Sequence, residues 1–110
     1  LTPDPTLLFR FSALTFNGHR IHYDHPYATQ VEGYEGLVVH GPMQAVWMMN
    51  LAVHVANRTV RRFSYRGLSP LICGAAVTIE ARETAGGLDL RVRRAADGVA
   101  TMEARAELVD

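Results

Sequence analysis

The segment from Met43 to Asn57, MQAVWMMNLAVHVAN, restricts what this chain can fold into more than any other. Only Gln44, Asn50, His54 and Asn57 interrupt an apolar run that contains no Gly or Pro. As a helix it would be roughly 22 Å long at about 1.5 Å per residue, and it falls short of the ~20 apolar residues of a membrane span. A helix apolar on nearly every side has to be covered on nearly every side. The rest of the chain is therefore expected to supply a wrapping sheet, with His54 facing the core as a buried, hydrogen-bonded structural residue.

The remaining periodicities supply that sheet. Leu7, Phe9 and Phe11 alternate with Leu8, Arg10 and Ser12, which predicts a short strand before the helix. Gly41-Pro42 suits a helix start, because Pro tolerates the first turn, where its missing N–H would be unpaired anyway. After the helix, alternating runs centre on Phe63 and Tyr65, on Val77 to Ala81, on Leu88 to Val92 and on Met102 to Leu108. Gly86-Gly87 and Asp97-Gly98 are hairpin signals, so the last three strands should form a meander. The expected class is α+β: an antiparallel sheet of about five strands curved around one long buried helix.

Composition narrows the function classes. The 110 residues make one domain with a modest core, so a partner surface is expected. Eleven Arg, with no Lys, balance eleven acidic residues, and no basic stripe interleaved with aromatics is present, which argues against nucleic acid. The lone Cys73 excludes an internal disulfide, suits a reducing cytoplasm and reads as a small buried hydrophobe rather than a reactive thiol. Neither a secretory segment nor a lipidation signal is visible, so no membrane partner is expected. The Pro-rich start LTPDP reads as a linker from an upstream domain.

Between Thr15 and Gly36 periodicity fails and polar, aromatic and turn residues crowd together, as in a functional loop. His19, His22 and His25 fall three apart, a spacing that on a helix spreads the rings around the axis, so a metal site is not expected. Asp24 reads as the cap of a helical turn. Arg58, Arg61, Arg62 and Arg66, with Arg91, Arg93 and Arg94, are either phosphate contacts or the solvated face of strands balanced by Glu.

The register Asn17-Gly18-His19-Arg20-Ile21-His22, followed by Val39-His40-Gly41, resembles the MaoC-like hydratase/dehydratase family of hot-dog proteins. That family carries D-x-N-P-x-H after a Phe/Tyr-rich lead-in, then a V-H-G turn opening its central helix. FSALTFNGHRIHYD and EGYEGLVVHGP are closer still to the branch of mitochondrial-type 3-hydroxyacyl-thioester dehydratases and mesaconyl- or itaconyl-CoA hydratases. The resemblance covers nearly the whole chain and is strongest from Leu8 to Gln44. It implies a single hot-dog domain over 1–110, the C-terminal part of a longer chain or the partner of a second hot-dog. It also implies reversible hydration of an enoyl thioester or dehydration of a 3-hydroxyacyl thioester, carried on CoA or a carrier, without a cofactor. In the narrower branch the acyl group is a short C4–C5 branched or dicarboxylic unit.

Three residues answer the needs of that chemistry. His22 titrates near neutrality and is the expected general acid/base. The Gly41 N–H, at a helix start that favours negative charge, is the expected oxyanion donor. Asn17 stands where the wider family has Asp; it can hold water or a departing hydroxyl but cannot take up a proton. Arg20 and Tyr34 are candidate substrate contacts, Arg20 for a free carboxylate, and His40 either lines the site or fixes its turn. His19, His22 and His25 have a competing reading as loop residues satisfied by backbone carbonyls, over which the resemblance favours function. Two rival readings stand beside the lyase: a non-catalytic hot-dog that completes a partner's site, and a thioesterase, for which no placed carboxylate stands out.

Overall fold

The N-terminal segment folds against its own alternation. In the computed structural model, which describes residues 1–109, Pro5–Leu14 is an α-helix, α1, rather than the expected strand. The Asp4 side chain caps it by accepting the Leu7 N–H at 2.8 Å, and Pro5 opens the first turn. Leu8 and Ser12 are buried with Leu7 and Phe11 half-buried beside them, while Phe9 lies exposed. That is a 3.6-residue stripe, so the period of two read from positions 7, 9 and 11 was accidental.

The end of α1 is tightly closed. Phe16 N–H donates to Ala13 O at 3.4 Å and Asn17 N–H to Ser12 O at 2.9 Å, with Phe16 left-handed at φ 53°. This is the Schellman pattern, with Phe where Gly is usual. The chain then makes a 3₁₀ turn, Arg20–His22, and a π-helical turn, Tyr27–Val31, where an irregular loop was expected. Asp24 Oδ1 accepts the Tyr27 N–H at 3.1 Å, the capping role read from sequence.

Helix α2, Gly41–Ala56, packs on a sheet of β1 (Val60–Gly67), β2 (Val77–Thr84), β3 (Gly87–Arg94) and β4 (Ala100–Leu108). The strand order is β1-β4-β3-β2 and every pair is antiparallel, so the last three strands form the expected meander. Four strands replace the expected five; beyond them the described residues contain one isolated bridge, Val38 to Ile72. The first hairpin turns on Ala85 and Gly86, because Gly87 already pairs with Thr84. Leu88, Leu90, Val92, Met102, Ala104 and Ala106 bury the inner face against Met43, Met48 and Ala52 of α2. One buried polar pair crosses this core: Thr101 Oγ1 donates to Gln44 Oε1 at 2.7 Å.

A four-stranded sheet covers only one side of a cylinder, and α2 shows the consequence. Val46, Val53 and Val55 remain 47%, 57% and 45% exposed, and His54 lies in solvent rather than in the core. The sheet packs on α2 as expected, but the helix is covered on one face rather than on nearly every side. On the outer face of the sheet, cross-strand rows alternate in charge: Arg66, Glu103, Arg91 and Glu80 in one, Arg105, Asp89 and Arg82 in the next. Glu80 is shared by Arg91 at 2.7 Å and Arg93 at 2.8 Å; Arg94 pairs with Asp97 at 2.8 Å, and Arg61 and Arg62 approach Glu107 at 3.5 and 3.8 Å. These arginines follow the reading of solvated strand faces balanced by acids, and exposed pairs of this kind add little to stability.

Candidate active site

His22 ends the 3₁₀ turn and is 6% exposed. Ile21 O accepts the Val38 N–H at 2.9 Å, and 2.6 Å separates His22 Nδ1 from Val38 O, so backbone and ring are both tied to the segment leading into α2. A carbonyl oxygen can only accept, so Nδ1 carries the hydrogen and Nε2 of the neutral ring keeps a free lone pair. Burial lowers the His22 pKa below its ordinary 6.5; the Val38 carbonyl opposes that shift and nearby His19 adds to it. His22 is thus a neutral base with a fixed tautomer.

The ring of His40 lies flat against it, centroids 3.8 Å apart and planes 18° from parallel. His40 is completely enclosed, with Nε2 2.7 Å from Ser12 Oγ and Phe11 edge-on at 4.8 Å. Its Nδ1 is the one enclosed side-chain nitrogen or oxygen without a partner among the described residues. Leaving such an atom unpaired costs roughly 1–3 kcal/mol. Burial, and secondarily the neighbouring His22, lowers its pKa to about 4, so His40 is neutral at ordinary pH. Being enclosed, its side chain offers no surface to a ligand, and its one hydrogen bond runs to Ser12 of α1 rather than to the turn it precedes.

Asn17 leaves the closed end of α1 with its Oδ1 accepting the His19 N–H at 3.0 Å. That bond occupies one of the two lone pairs of Oδ1 and leaves the amide NH₂ as a donor. Gly41 is the first residue of α2, directly after His40, and its N–H has no backbone partner among the described residues, as expected of a first turn. The stack places His22 against the ring of His40, the residue that precedes Gly41 in sequence. His19 is exposed and meets His22 edge-on at 5.6 Å; His25 is exposed too.

The candidate substrate contacts are less well joined to this cluster. Arg20 is forked onto Asp24 Oδ2 at 3.1 and 2.8 Å and lies over the Tyr27 ring at 4.2 Å, so a substrate carboxylate would compete with Asp24. Tyr34 is half-buried against the core, its N–H donating to Ala28 O at 2.9 Å, and no hydrogen bond or ring contact joins it to His22 or His40 among the described residues. Ser12 is the residue that sequence reasoning missed: read on a strand, it gave no sign of meeting His40. The Asp4-Pro5 cap was the available signal, since it starts the helix that turns Ser12 inward. A concavity of about 840 Å³ lies over the charged rows of the sheet, and none of the histidines lines it. No group of three or more His, Cys, Asp or Glu converges on a point among the described residues.

Comparison with known proteins bears on this geometry. The profile of the family "Hydroxyacyl-thioester dehydratase type 2" matches residues 1–73. Mesaconyl-C(4)-CoA hydratase of Chloroflexus aurantiacus is 51% identical over 108 residues, 98% of this chain and 38% of that protein. The mitochondrial hydroxyacyl-thioester dehydratase type 2 of Schizosaccharomyces pombe is 38% identical over 86 residues, 76% of this chain and 29% of its own length. The crystal structure of HtdX from Mycobacterium tuberculosis superposes with a TM-score of 0.85 at 27% identity, covering 99% of this chain and 46% of that one. The chain thus has the hot-dog fold and spans less than half the length of each of these relatives.

Proposed function

The chain belongs to the hydroxyacyl-thioester dehydratase type 2 family, and from that membership we propose that it is a hydro-lyase acting on enoyl- and 3-hydroxyacyl thioesters. The observation that carries the proposal is His22: a neutral, buried imidazole whose Nδ1–H is committed to Val38 O and whose Nε2 is bare. In hydration Nε2 takes a proton from water as the oxygen bonds to C3. The C2=C3 electron pair moves into the thioester carbonyl, and the Gly41 N–H holds the resulting enolate oxygen. The enolate then collapses and C2 takes the proton back from Nε2, so no proton is gained or lost overall. Asn17, through its side-chain amide, holds the water or the departing hydroxyl. Dehydration is the same sequence reversed.

The Chloroflexus relative's name favours a C4–C5 dicarboxylic thioester of the mesaconyl type. CoA, or a carrier's equivalent arm, is the thiol, and a cytoplasmic setting suits such a water-soluble substrate and the free Cys73. No helix among the described residues is long and apolar enough to cross a membrane. A second hot-dog unit, in the same chain or as a subunit, is the proposed cover for the open flank of α2. That flank, together with Asn17 in place of Asp, also favours a second reading, the non-catalytic partner module.

Purified protein assayed with mesaconyl-C4-CoA and crotonyl-CoA separates the readings. Hydration supports the lyase, release of free CoA the thioesterase, and silence from a folded protein the partner module. His22→Ala is expected to lower the hydration rate about a hundredfold or more, with a lower but still cooperative melt because the substitution empties a buried, hydrogen-bonded position. An active His22→Ala enzyme removes the mechanism.

A further inference from the structure

Two buried side chains behind His22 take no part in the reaction just outlined. His40 is wholly enclosed, its Nε2 is 2.7 Å from Ser12 Oγ and its Nδ1 is stranded. A phenylalanine would fill much the same space without stranding a nitrogen, so close packing does not account for an imidazole at this position. What the imidazole adds is an anchor. Ser12, on the buried stripe of α1, fixes the His40 ring by a hydrogen bond, and Phe11 bears on it edge-on. The ring so fixed is the surface on which His22 lies, 3.8 Å away.

We propose that Ser12 and His40 are positioning residues: Ser12 pins the His40 ring, and the flat face of His40 holds His22 in the plane that keeps Nδ1–H on Val38 O and presents Nε2 to the substrate. The inference rests on the role given to His22 above. Of the titratable groups facing His22, His40 is stacked on it and His19 meets it edge-on at 5.6 Å. From α1 only uncharged Ser12 and Phe11 reach this cluster; Arg20 and Asp24 of the same turn neutralise each other, and Tyr27 of the following turn bonds Glu32. His40 stays neutral where His22 works, so it supports the ring without competing for the proton.

Hydration kinetics with mesaconyl-C4-CoA and crotonyl-CoA, and imidazole ¹⁵N spectra of the same proteins, test this separately. Ser12→Ala and His40→Leu are each expected to lower kcat about fivefold or more with KM within about twofold, and to turn the single Nδ1–H tautomer of His22 into a mixture. Adding His40→Phe to Ser12→Ala supplies a flat ring that needs no hydrogen bond, and is expected to recover the single tautomer and most of the lost kcat. If Ser12→Ala does not fold, the contrast between His40→Leu and His40→Phe carries the same test. A pure tautomer and unchanged kcat in Ser12→Ala and His40→Leu overturn the inference, as does a loss of kcat with the tautomer untouched. A wild-type protein that has the tautomer, loses it in these variants and yet hydrates neither thioester upholds the positioning and sinks the lyase reading instead.

Discussion

Phe16 is 96% exposed and held at φ 53°, a conformation that costs an L-residue roughly 1–2 kcal/mol and Gly almost nothing. Phe16→Gly is therefore expected to stabilise the isolated chain by about 1 kcal/mol, read as a rise of roughly 4 °C or more in Tm; a lower Tm would show that the ring has packing partners after all. The site residues differ in how far they could be read beforehand. Asn17, His22 and Gly41 stood out because they occupy a linear motif with fixed spacing. Ser12 did not, because its bond to His40 spans 28 positions and depends on α1 being a helix. His54 was misplaced for the opposite reason: apolar neighbours in sequence do not say which side of a helix the sheet covers. Arg20 was chosen for its charge, and that charge is taken up four residues later by Asp24.

Among the elements, the three strands of the meander and α2 were legible, because alternation, turn residues and an uninterrupted apolar run all pointed the same way. α1 was not, because Leu7, Phe9 and Phe11 match a strand while the Asp4-Pro5 cap marks a helix, and the cap prevailed. The meander itself has a tight point. A Cβ on Gly87 would run into the Ala106 carbonyl of the neighbouring strand, which is backbone and cannot swing aside. Gly87→Ala is thus expected to destabilise the fold by roughly 2 kcal/mol or more, seen as a lower urea midpoint. An unchanged midpoint would mean that β3 and β4 can separate at no cost. The charged rows outside the same strands should matter far less, and salt should weaken them further.

Across the whole molecule, the enclosed histidines make the fold sensitive to acid. His40 binds a proton at about 4 when folded and near 6.5 when unfolded, so between those values the unfolded chain holds a proton that the native one refuses. Stability is fully present above pH 6.5, falls as the pH drops towards 4 and levels off below, a loss on the order of 3 kcal/mol from this residue alone. Urea unfolding at pH 7, 5.5 and 4.5 measures it, and His40→Phe should flatten the slope; an equal slope in that variant would assign the acid sensitivity elsewhere. In the proposed mechanism His22, lowered in the same direction by burial, sets the acid limb of kcat/KM below its ordinary 6.5. The Val38 carbonyl leaves this imidazole a single basic nitrogen, and in the proposed reaction one nitrogen has to both receive the proton and return it. Forward and reverse turnover then begin from the same bare ring, so acidity throttles both alike. Which way the traffic runs is left to the relative abundance of the unsaturated and hydroxylated thioesters.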